Sequence, residues 1–368
     1  MSSHGVPRAS GPKPTAQGRE KELQRIQEYR SLVATVNREI HQRYYTKELL
    51  GMTTRLLELN PEYYTIWNYR RLLLRSFFEG AIPSTSNNKN DSTEHGTVQQ
   101  YITDDLAFLL PLLRKFPKCY WIWNYRLWLL AEAARLLPSP VVYQLWQKEL
   151  GLVGKMLTLD SRNFHGWGYR RQVVSALEEL SVAMGSASAS MTEHEFVYTT
   201  KMIESNLSNF SAWHRRSKLI PRLLSERNAS HAERREFLEK ELELVQRALW
   251  ADPDSKDQSL WFYHQYLISN FKPSCSPQAD AIIPDLPDAD KLAYLQAQIE
   301  DLLEMLDGAE TCKWIYQRLL ELSLMSKSLN DQWPVASSDL EIWINKLLEL
   351  DPLRKGRWED LRKQIFPW

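Results

Sequence analysis

The sequence has few residues that crosslink chains or bind metals, and it has no excess of either charge. Three cysteines occur far apart in 368 residues without a CxxC spacing, which argues against a disulfide framework and against a structural zinc site. Lysine and arginine together number 46, as do aspartate and glutamate. The resulting net charge of zero argues against a surface dedicated to nucleic acid or to anionic membranes.

Long apolar runs are also missing, since none approaches the roughly 18 residues that a transmembrane helix needs. The first 18 residues are polar and contain Pro and Gly, without the apolar core of a secretory signal. We therefore expect a cytoplasmic protein without stable membrane insertion. We further expect a flexible tail at residues 1–18 and one folded domain at residues 19–368.

Tryptophan, by contrast, is abundant: the chain has 14 Trp and 13 Gly. Five tryptophans recur at separations of 56, 44, 46 and 48 residues, namely Trp67, Trp123, Trp167, Trp213 and Trp261. In the first four copies an aromatic residue precedes Trp by three positions and Arg follows it by three. Residues three apart share a helix face, so each copy predicts a helix with an aromatic, a Trp and an Arg along one stripe.

A second helical pattern accompanies each tryptophan-containing segment. His231 to Leu249 is an example, with apolar residues at helical spacing. Turn signals such as Asn-Pro or Asp-Pro precede several copies, and strand signals are nearly absent. The sequence thus predicts an all-α fold, a solenoid of helical hairpins of roughly 35 residues that forms an α-α superhelix.

Motifs of self-contained enzymes are missing. The chain has no GxxxxGK[ST], GxGxxG, GxSxG or HExxH segment, and its eight histidines are scattered. We therefore predict no complete active site and no metal site within this chain.

The polar residues beside the repeated tryptophans leave two interpretations open. Asn68, Asn124, His214 and the repeated arginines are polar, yet they recur in phase with tryptophans that we expect to be buried. They could form a concave face that contacts one large partner. A row of buried structural hydrogen bonds explains them about as well.

The repeated Asn-aromatic-x-x-Trp-x-x-Arg segment resembles the repeat of protein prenyltransferase α-subunits, strongly over about residues 20 to 270 and weakly elsewhere. The segments at residues 162–171, 208–214 and 257–264 look most like the Rab geranylgeranyltransferase (type II) version. Two alternatives stay open. One is the α-subunit shared by farnesyltransferase and geranylgeranyltransferase type I, and the other is a non-enzymatic helical scaffold.

This resemblance implies half of a heterodimeric enzyme. A crescent of hairpins would wrap around a β-subunit that holds the catalytic zinc and the lipid cavity. The complex would transfer geranylgeranyl from geranylgeranyl diphosphate to C-terminal cysteines of Rab GTPases, presented by an escort protein. Zinc lowers the pKa of a thiol and so supplies a thiolate, and the departing diphosphate needs cationic donors.

The same resemblance implies the residues near the substrate. Lys118, in a Pro-Lys-x-aromatic segment, matches the family's diphosphate-binding lysine. Tyr120 is expected beside it, with stacking in the core as the alternative. His165 matches a residue near the substrate, or it only caps a helix start. Arg162 occupies the phase of Lys118 one repeat later and is a further candidate to attract the diphosphate.

We expect the β-subunit to contact the polar residues that recur around the tryptophans. These are Asn68, Arg70, Asn124, Arg126, Tyr169, Arg170, His214, Arg216, Tyr263 and His264. The second repeat has Trp-Asn-Tyr-Arg where the family often has Trp-His-His-Arg, a departure that bears on these contacts. His4 lies in a segment like the family's N-terminal His-Gly start, and we expect it to belong to a disordered tail rather than to reach the partner's zinc.

Overall fold

The computed structural model describes residues 15–81, 92–186, 189–251, 257–272 and 281–367, so His4 lies outside the described residues. The described part of the chain contains fifteen α-helices and no strand, which confirms the predicted all-α class. The chain divides into two compact units, Met1–Ala189 and Ser190–Trp368. None of the described helices is both long enough and apolar enough to cross a membrane.

The first unit contains α1 (Ala16–His41), α2 (Lys47–Leu59), α3 (Tyr64–Ala81), α4 (Ser92–Lys115), α5 (Tyr120–Leu136), α6 (Ser139–Leu159) and α7 (Phe164–Ala183). The second unit contains α8 (Thr192–Ser205), α9 (Phe210–Glu226), α10 (His231–Trp250), α11 (Gln258–Ile268), α12 (Asp288–Leu306), α13 (Lys313–Asn330), α14 (Ser337–Leu350) and α15 (Lys355–Ile365).

Helix α1 begins earlier than the sequence suggests. Its first residue is Ala16, and the hydroxyl of Thr15 accepts a hydrogen bond from the amide of Gly18 at 3.1 Å. Such a side-chain acceptor satisfies one of the free amides at a helix start. Helix α1 therefore begins three residues before the predicted start of the folded domain at residue 19.

Each unit is a series of packed helical hairpins. In the first unit α2 packs on α3, α4 on α5 and α6 on α7, and the second helices α3, α5 and α7 lie side by side. In the second unit α8 packs on α9, α10 on α11, α12 on α13 and α14 on α15, and α9 contacts α11. The hairpins continue through α13 and α15, beyond the region where the Trp motif is clear.

A buried indole fixes the turn in each of the first four motif-bearing hairpins. The Nε1 atom of the repeated tryptophan donates to a backbone carbonyl six residues earlier, at 2.8–2.9 Å, from Trp67 to Pro61, Trp123 to Pro117, Trp167 to Ser161 and Trp213 to Leu207. In α13 the hydroxyl of Tyr316 makes the same contact with the carbonyl of Glu310 at 3.0 Å. This double role explains why tryptophan recurs at this position. Its ring fills the core, and its N–H satisfies a carbonyl of the turn.

Successive turns are also bonded to each other in the first unit. Asn163 Nδ2 donates to the carbonyl of Pro117 at 3.0 Å, and Cys119 Sγ lies 3.5 Å from the carbonyl of Pro61. Each carbonyl is the one that already accepts from the indole of its own hairpin. The turns before α3, α5 and α7 are thereby held in one row.

A buried arginine–carboxylate–tyrosine triad joins neighbouring hairpins. Arg70 Nε in α3 donates to both carboxylate oxygens of Asp105 in α4, at 3.0 and 3.1 Å. Tyr125 OH in α5 donates to Asp105 Oδ2 at 2.7 Å. One carboxylate thus holds an arginine from the preceding hairpin and a tyrosine from its own.

The triad recurs twice more, as Arg126–Glu149–Tyr169 and as Arg216–Glu241–Tyr263. Burial opposes the charge of Arg126, but Glu149 outweighs it and raises the pKa of Arg126 above its usual range. Burial, and then the charge of Glu149, raises the pKa of Tyr169 well above its usual range. Arg126 is therefore charged and Tyr169 is neutral at every physiological pH.

Breaking one triad tests its contribution to stability. We expect Arg126→Met to lower the free energy of unfolding by about 3–5 kcal/mol, because Glu149 then stays buried without its partner. Urea unfolding followed by circular dichroism measures this change. Arg38→Met is the control, since Arg38 is 64% exposed and pairs with an exposed neighbour, and it should cost less than about 1 kcal/mol. Equal losses in the two variants would contradict a special role for the triad.

Candidate functional site

Lys118 lies in the turn that precedes α5, at the end of the first unit where the bonded turns meet. Its Nζ atom is 3.8 Å from Asp160 Oδ2, which belongs to the turn before α7. The side chain of Lys118 is 37% exposed and that of Asp160 is 34% exposed. The ammonium group is therefore positioned by a long, solvent-screened ion pair and keeps an accessible face.

His165 is the second residue of α7 and lies against the turn of Lys118. Its backbone amide donates to Asn163 Oδ1 at 3.0 Å, so the helix start is capped by Asn163 rather than by the imidazole. Burial lowers the pKa of His165, opposed by a hydrogen bond to the backbone of Lys118 and by the charge of Glu62. The imidazole is thus neutral near pH 7, and its single N–H makes the hydrogen bond to the backbone of Lys118.

Tyr120 begins α5 and is not stacked in the core, which excludes the alternative interpretation of this residue. It is 51% exposed, and its hydroxyl accepts from Asn124 Nδ2 at 3.3 Å. Its ring centroid lies 6.1 Å from that of His165. Arg162 is exposed in the same turn as Asp160. The turns before α5 and α7 therefore bring together all four residues expected near the substrate.

A row of exposed and half-buried rings borders this cluster. We call this row the aromatic ridge; its members are Tyr64, Trp121, Tyr120, His165 and Phe164. Successive ring centroids along it are 5.6, 5.3, 6.1 and 4.0 Å apart. Tyr64 is 56% exposed and Phe164 is 69% exposed.

The ridge corrects the expectation that the aromatic residue three positions before Trp shares a buried stripe with it. Tyr64 is the first residue of α3, where the chain has just left the turn, so its side chain lies outside the hairpin. Trp67 and Arg70, one and two turns further along, are buried. The recurrence of an aromatic at the first helical position was the signal that could have identified the ridge.

Comparisons with known proteins show the family of this chain. A model described as the protein prenyltransferase alpha subunit repeat matches residues 46–77, 102–133, 146–177 and 192–223. The geranylgeranyl transferase type-2 subunit alpha of Saccharomyces cerevisiae is 32% identical over 98% of this chain and 99% of its own length. The Schizosaccharomyces pombe subunit of the same name is 35% identical over 94% of this chain and 93% of its own length. This chain belongs to the protein prenyltransferase α-subunit family.

Other relatives of this prenyltransferase α-subunit are longer. The Homo sapiens geranylgeranyl transferase type-2 subunit alpha is 33% identical over 68% of this chain and 39% of its own length. Among solved structures, a chain of Candida albicans protein geranylgeranyltransferase-I complexed with GGPP aligns with a TM-score of 0.58 at 18% identity, over 92% of this chain and 91% of that chain. This likeness confirms the fold class, and the sequence relatives confirm the resemblance to the type II branch.

Most of the residues expected at the β-subunit interface of this prenyltransferase α-subunit are interior, which corrects that expectation. Seven are buried, namely Arg70, Arg126, Tyr169, Arg170, Arg216, Tyr263 and His264. All but Arg170 belong either to the triads or to a hydrogen-bonded pair of His264 with Gln298. The interpretation as buried structural hydrogen bonds holds for these residues, while Asn68 and His214 are exposed and Asn124 is half-buried.

His264 occupies the arginine position of the triad in the fifth repeat, and Gln298 occupies the position of the carboxylate. His264 Nε2 and Gln298 Oε1 are 2.9 Å apart, so the neutral ring donates to the amide oxygen. Burial, and then the charge of Arg318, lowers the pKa of His264 to about 3. The fifth repeat therefore replaces an ion pair by a neutral pair at the same place.

This neutral pair predicts an acid-sensitive contribution to stability. The unfolded chain binds the proton at the ordinary pKa of 6.5 and the folded chain does not, so stability is present above pH 6.5 and falls as the pH decreases. At pH 5 the loss from His264 should be about 2 kcal/mol. In His264→Gln, the change in unfolding free energy between pH 7 and pH 5 should be smaller by that amount. Identical pH dependence of variant and wild type in urea titrations would contradict the assignment.

Proposed function

We propose that this chain is the α-subunit of a heterodimeric Rab geranylgeranyltransferase. With a β-subunit it would transfer geranylgeranyl from geranylgeranyl diphosphate to C-terminal cysteines of Rab GTPases, presented by an escort protein. The type-2 names of the relatives support this reaction. The observation that carries the role of this chain is the accessible ammonium of Lys118 beside a neutral imidazole and a phenol.

Lys118 would stabilise the leaving group. As the bond between the prenyl carbon and the diphosphate oxygen breaks, negative charge grows on the diphosphate, and a fixed ammonium lowers the energy of that transition state. Asp160, at 3.8 Å, is too distant for a close ion pair and does not neutralise the ammonium. The pair instead holds the side chain toward the neighbouring turn.

Tyr120 would add a neutral hydrogen-bond donor to the same leaving group, and His165 would shape the rim beside it. The Tyr120 hydroxyl accepts from Asn124, which leaves its proton available for a ligand oxygen. His165 is neutral at pH 7 because burial lowers its pKa, and its N–H bonds to the backbone of Lys118, so it would position the turn that carries the lysine. Arg162, exposed in the turn of Asp160, would attract the diphosphate from solution.

The thiolate that attacks the prenyl carbon would form at a zinc site of the β-subunit. Within the described residues of this chain, no three His, Cys, Asp or Glu side chains are grouped to hold a metal ion. Cys119 is not a candidate nucleophile, because burial raises its pKa to about 11.

The aromatic ridge would contact the β-subunit and line the entrance of its lipid cavity. Large exposed rings in one row are typical of a protein interface, because they bury much apolar area with little loss of side-chain entropy. Asn68, exposed in α3, and Asn124, in α5, are joined through hydrogen bonds from Arg71, at 3.0 and 2.7 Å. These amides would form a polar margin to the ridge. The expected cytoplasmic location is part of this proposal.

The role of Lys118 can be tested in the heterodimer. Lys118→Ala should slow single-turnover prenyl transfer by roughly 10- to 150-fold, which corresponds to about 1.5–3 kcal/mol for one charged hydrogen bond. Assembly with the β-subunit should be unchanged. Lys115→Ala removes an exposed lysine at the end of α4 and should leave the rate near wild type. An unchanged rate in Lys118→Ala would remove the catalytic role.

The role of the ridge requires a binding measurement. The double variant Tyr64→Ser/Phe164→Ser should weaken association with the β-subunit at least tenfold, since a buried interface aromatic contributes more than about 1 kcal/mol. Both side chains are exposed, so the isolated chain should keep its circular dichroism spectrum. Val182→Ser, at a site 65% exposed near the end of α7, is the control and should bind normally. Equal affinity of double variant and control would exclude the ridge from the interface.

A further inference from the structure

A cavity of about 510 Å³ lies in the second unit between α11, α13 and the start of α15, and the proposed reaction does not use it. Phe262 and Trp314 supply aromatic surface to it. Four cationic side chains also line it, namely Lys313, Arg318, Arg354 and Arg357. A partly apolar cavity with converging charged groups is the usual form of a ligand site.

Arg318 is the most deeply placed of these cations. Its side chain is 3% exposed, Nη1 donates to Glu321, and Nη2 donates to the carbonyl of Trp261 at 2.9 Å. Its Nε atom has no hydrogen-bond partner among the described residues. Burial lowers the pKa of Arg318, and Glu321 only partly offsets this. A buried guanidinium with an unsatisfied donor gains free energy when an acceptor enters the cavity.

The triads explain why an acceptor is missing here. Tyr316 bonds to the turn of this hairpin, as the repeated tryptophan does in earlier hairpins. Arg318 follows Tyr316 by two residues, and in the earlier hairpins the tyrosine of the triad follows the tryptophan by two residues. The position of the shared carboxylate is taken by Gln298, which bonds to His264. In this hairpin an arginine is therefore buried at the position of the triad tyrosine, and the carboxylate that the three triads contain is replaced by Gln298.

The charges at the rim also favour one added anionic group. Asp351 accepts from Lys313 Nζ at 3.0 Å and pairs with Arg354 Nε at 2.5 Å. Arg357 Nη2 lies 3.6 Å from Glu321, the same carboxylate that pairs with Arg318. Four cations thus share two carboxylates.

Aromatic surface lies next to these charges. Lys313 Nζ and Arg354 Cζ lie 5.5 and 5.6 Å from the ring centroid of Trp314. That ring is 6.2 Å from Phe262, which is 43% exposed. An occupant can therefore place an apolar side chain beside an anionic one.

We propose that this cavity binds an acidic peptide segment of a partner protein, with a carboxylate at Arg318 and a neighbouring apolar side chain against Phe262 and Trp314. A carboxylate supplies the acceptor that Gln298 does not, and as a monoanion it matches the modest excess of positive charge. The aromatic wall is the reason to favour a peptide over a small inorganic anion, since phosphate would leave that surface unused. This site shares no residue with the Lys118 cluster, and the proposal stands independently of prenyl transfer.

The test uses the purified full chain and the peptide acetyl-Phe-Glu-Leu-amide, with acetyl-Phe-Gln-Leu-amide as its neutral match and inorganic phosphate as a third probe. Isothermal titration calorimetry at low salt should show the Glu peptide binding at least tenfold more tightly than the Gln peptide. Binding should weaken as salt is added. Phosphate should compete only weakly.

Variants locate the binding. Arg354→Gln/Arg357→Gln removes two partly exposed rim cations and should weaken the Glu peptide at least tenfold while leaving the fold intact. Lys240→Gln, on an exposed lysine of α10, should change nothing. Arg318→Gln should also abolish binding, and its thermal unfolding is measured because this buried side chain also bonds to Trp261. Equal binding of the two peptides, full affinity in the rim variant, or tight phosphate binding without peptide binding would each overturn the proposal.

Discussion

The buried pairing of an arginine with a carboxylate from the next hairpin is the interaction on which the rest of the structure depends. A guanidinium in the interior is tolerated only when its charge and its donors are satisfied, and here the partner comes from a different hairpin. In Arg70–Asp105–Tyr125 the carboxylate also anchors a tyrosine of its own hairpin. Each triad therefore fixes how two consecutive hairpins stack, which apolar packing alone specifies less sharply.

The stacking of the hairpins also fixes the turns before α5 and α7. Fixed turns can hold the side chains of a site in a defined arrangement. The indole of Trp123 holds the carbonyl of Pro117, and Asn163 of the next hairpin bonds to the same carbonyl. Lys118 and His165 follow those anchored positions by one and two residues. This rigid base holds the exposed side chains on the two turns at defined distances from each other.

Sequence reasoning placed the residues expected near the substrate better than the residues expected at the interface. Lys118, Tyr120 and His165 lie together as the family motif implies, because a short turn motif keeps its local geometry. The arginines and tyrosines around Trp were assigned to a partner surface, but Arg126 and Tyr169 are buried with Glu149. Along the chain, Glu149 is 23 residues from Arg126 and 20 residues from Tyr169. The periodicity of a single sequence does not reveal such pairings.

The sequence by itself determined the helical class, the hairpin period and the position of each turn, because these depend on local spacing of Trp, Arg and turn residues. The tertiary structure alone decided which face of each repeat is interior, since this depends on partners from other hairpins. Tyr64 is exposed while Arg70 is buried, which is the opposite of what their polarity suggests. Arg70 is buried because Asp105 pairs with it, and Tyr64 is exposed because it is the first residue of its helix and lies outside the hairpin. The loss of that carboxylate beside Arg318 is likewise visible only when the hairpins are stacked.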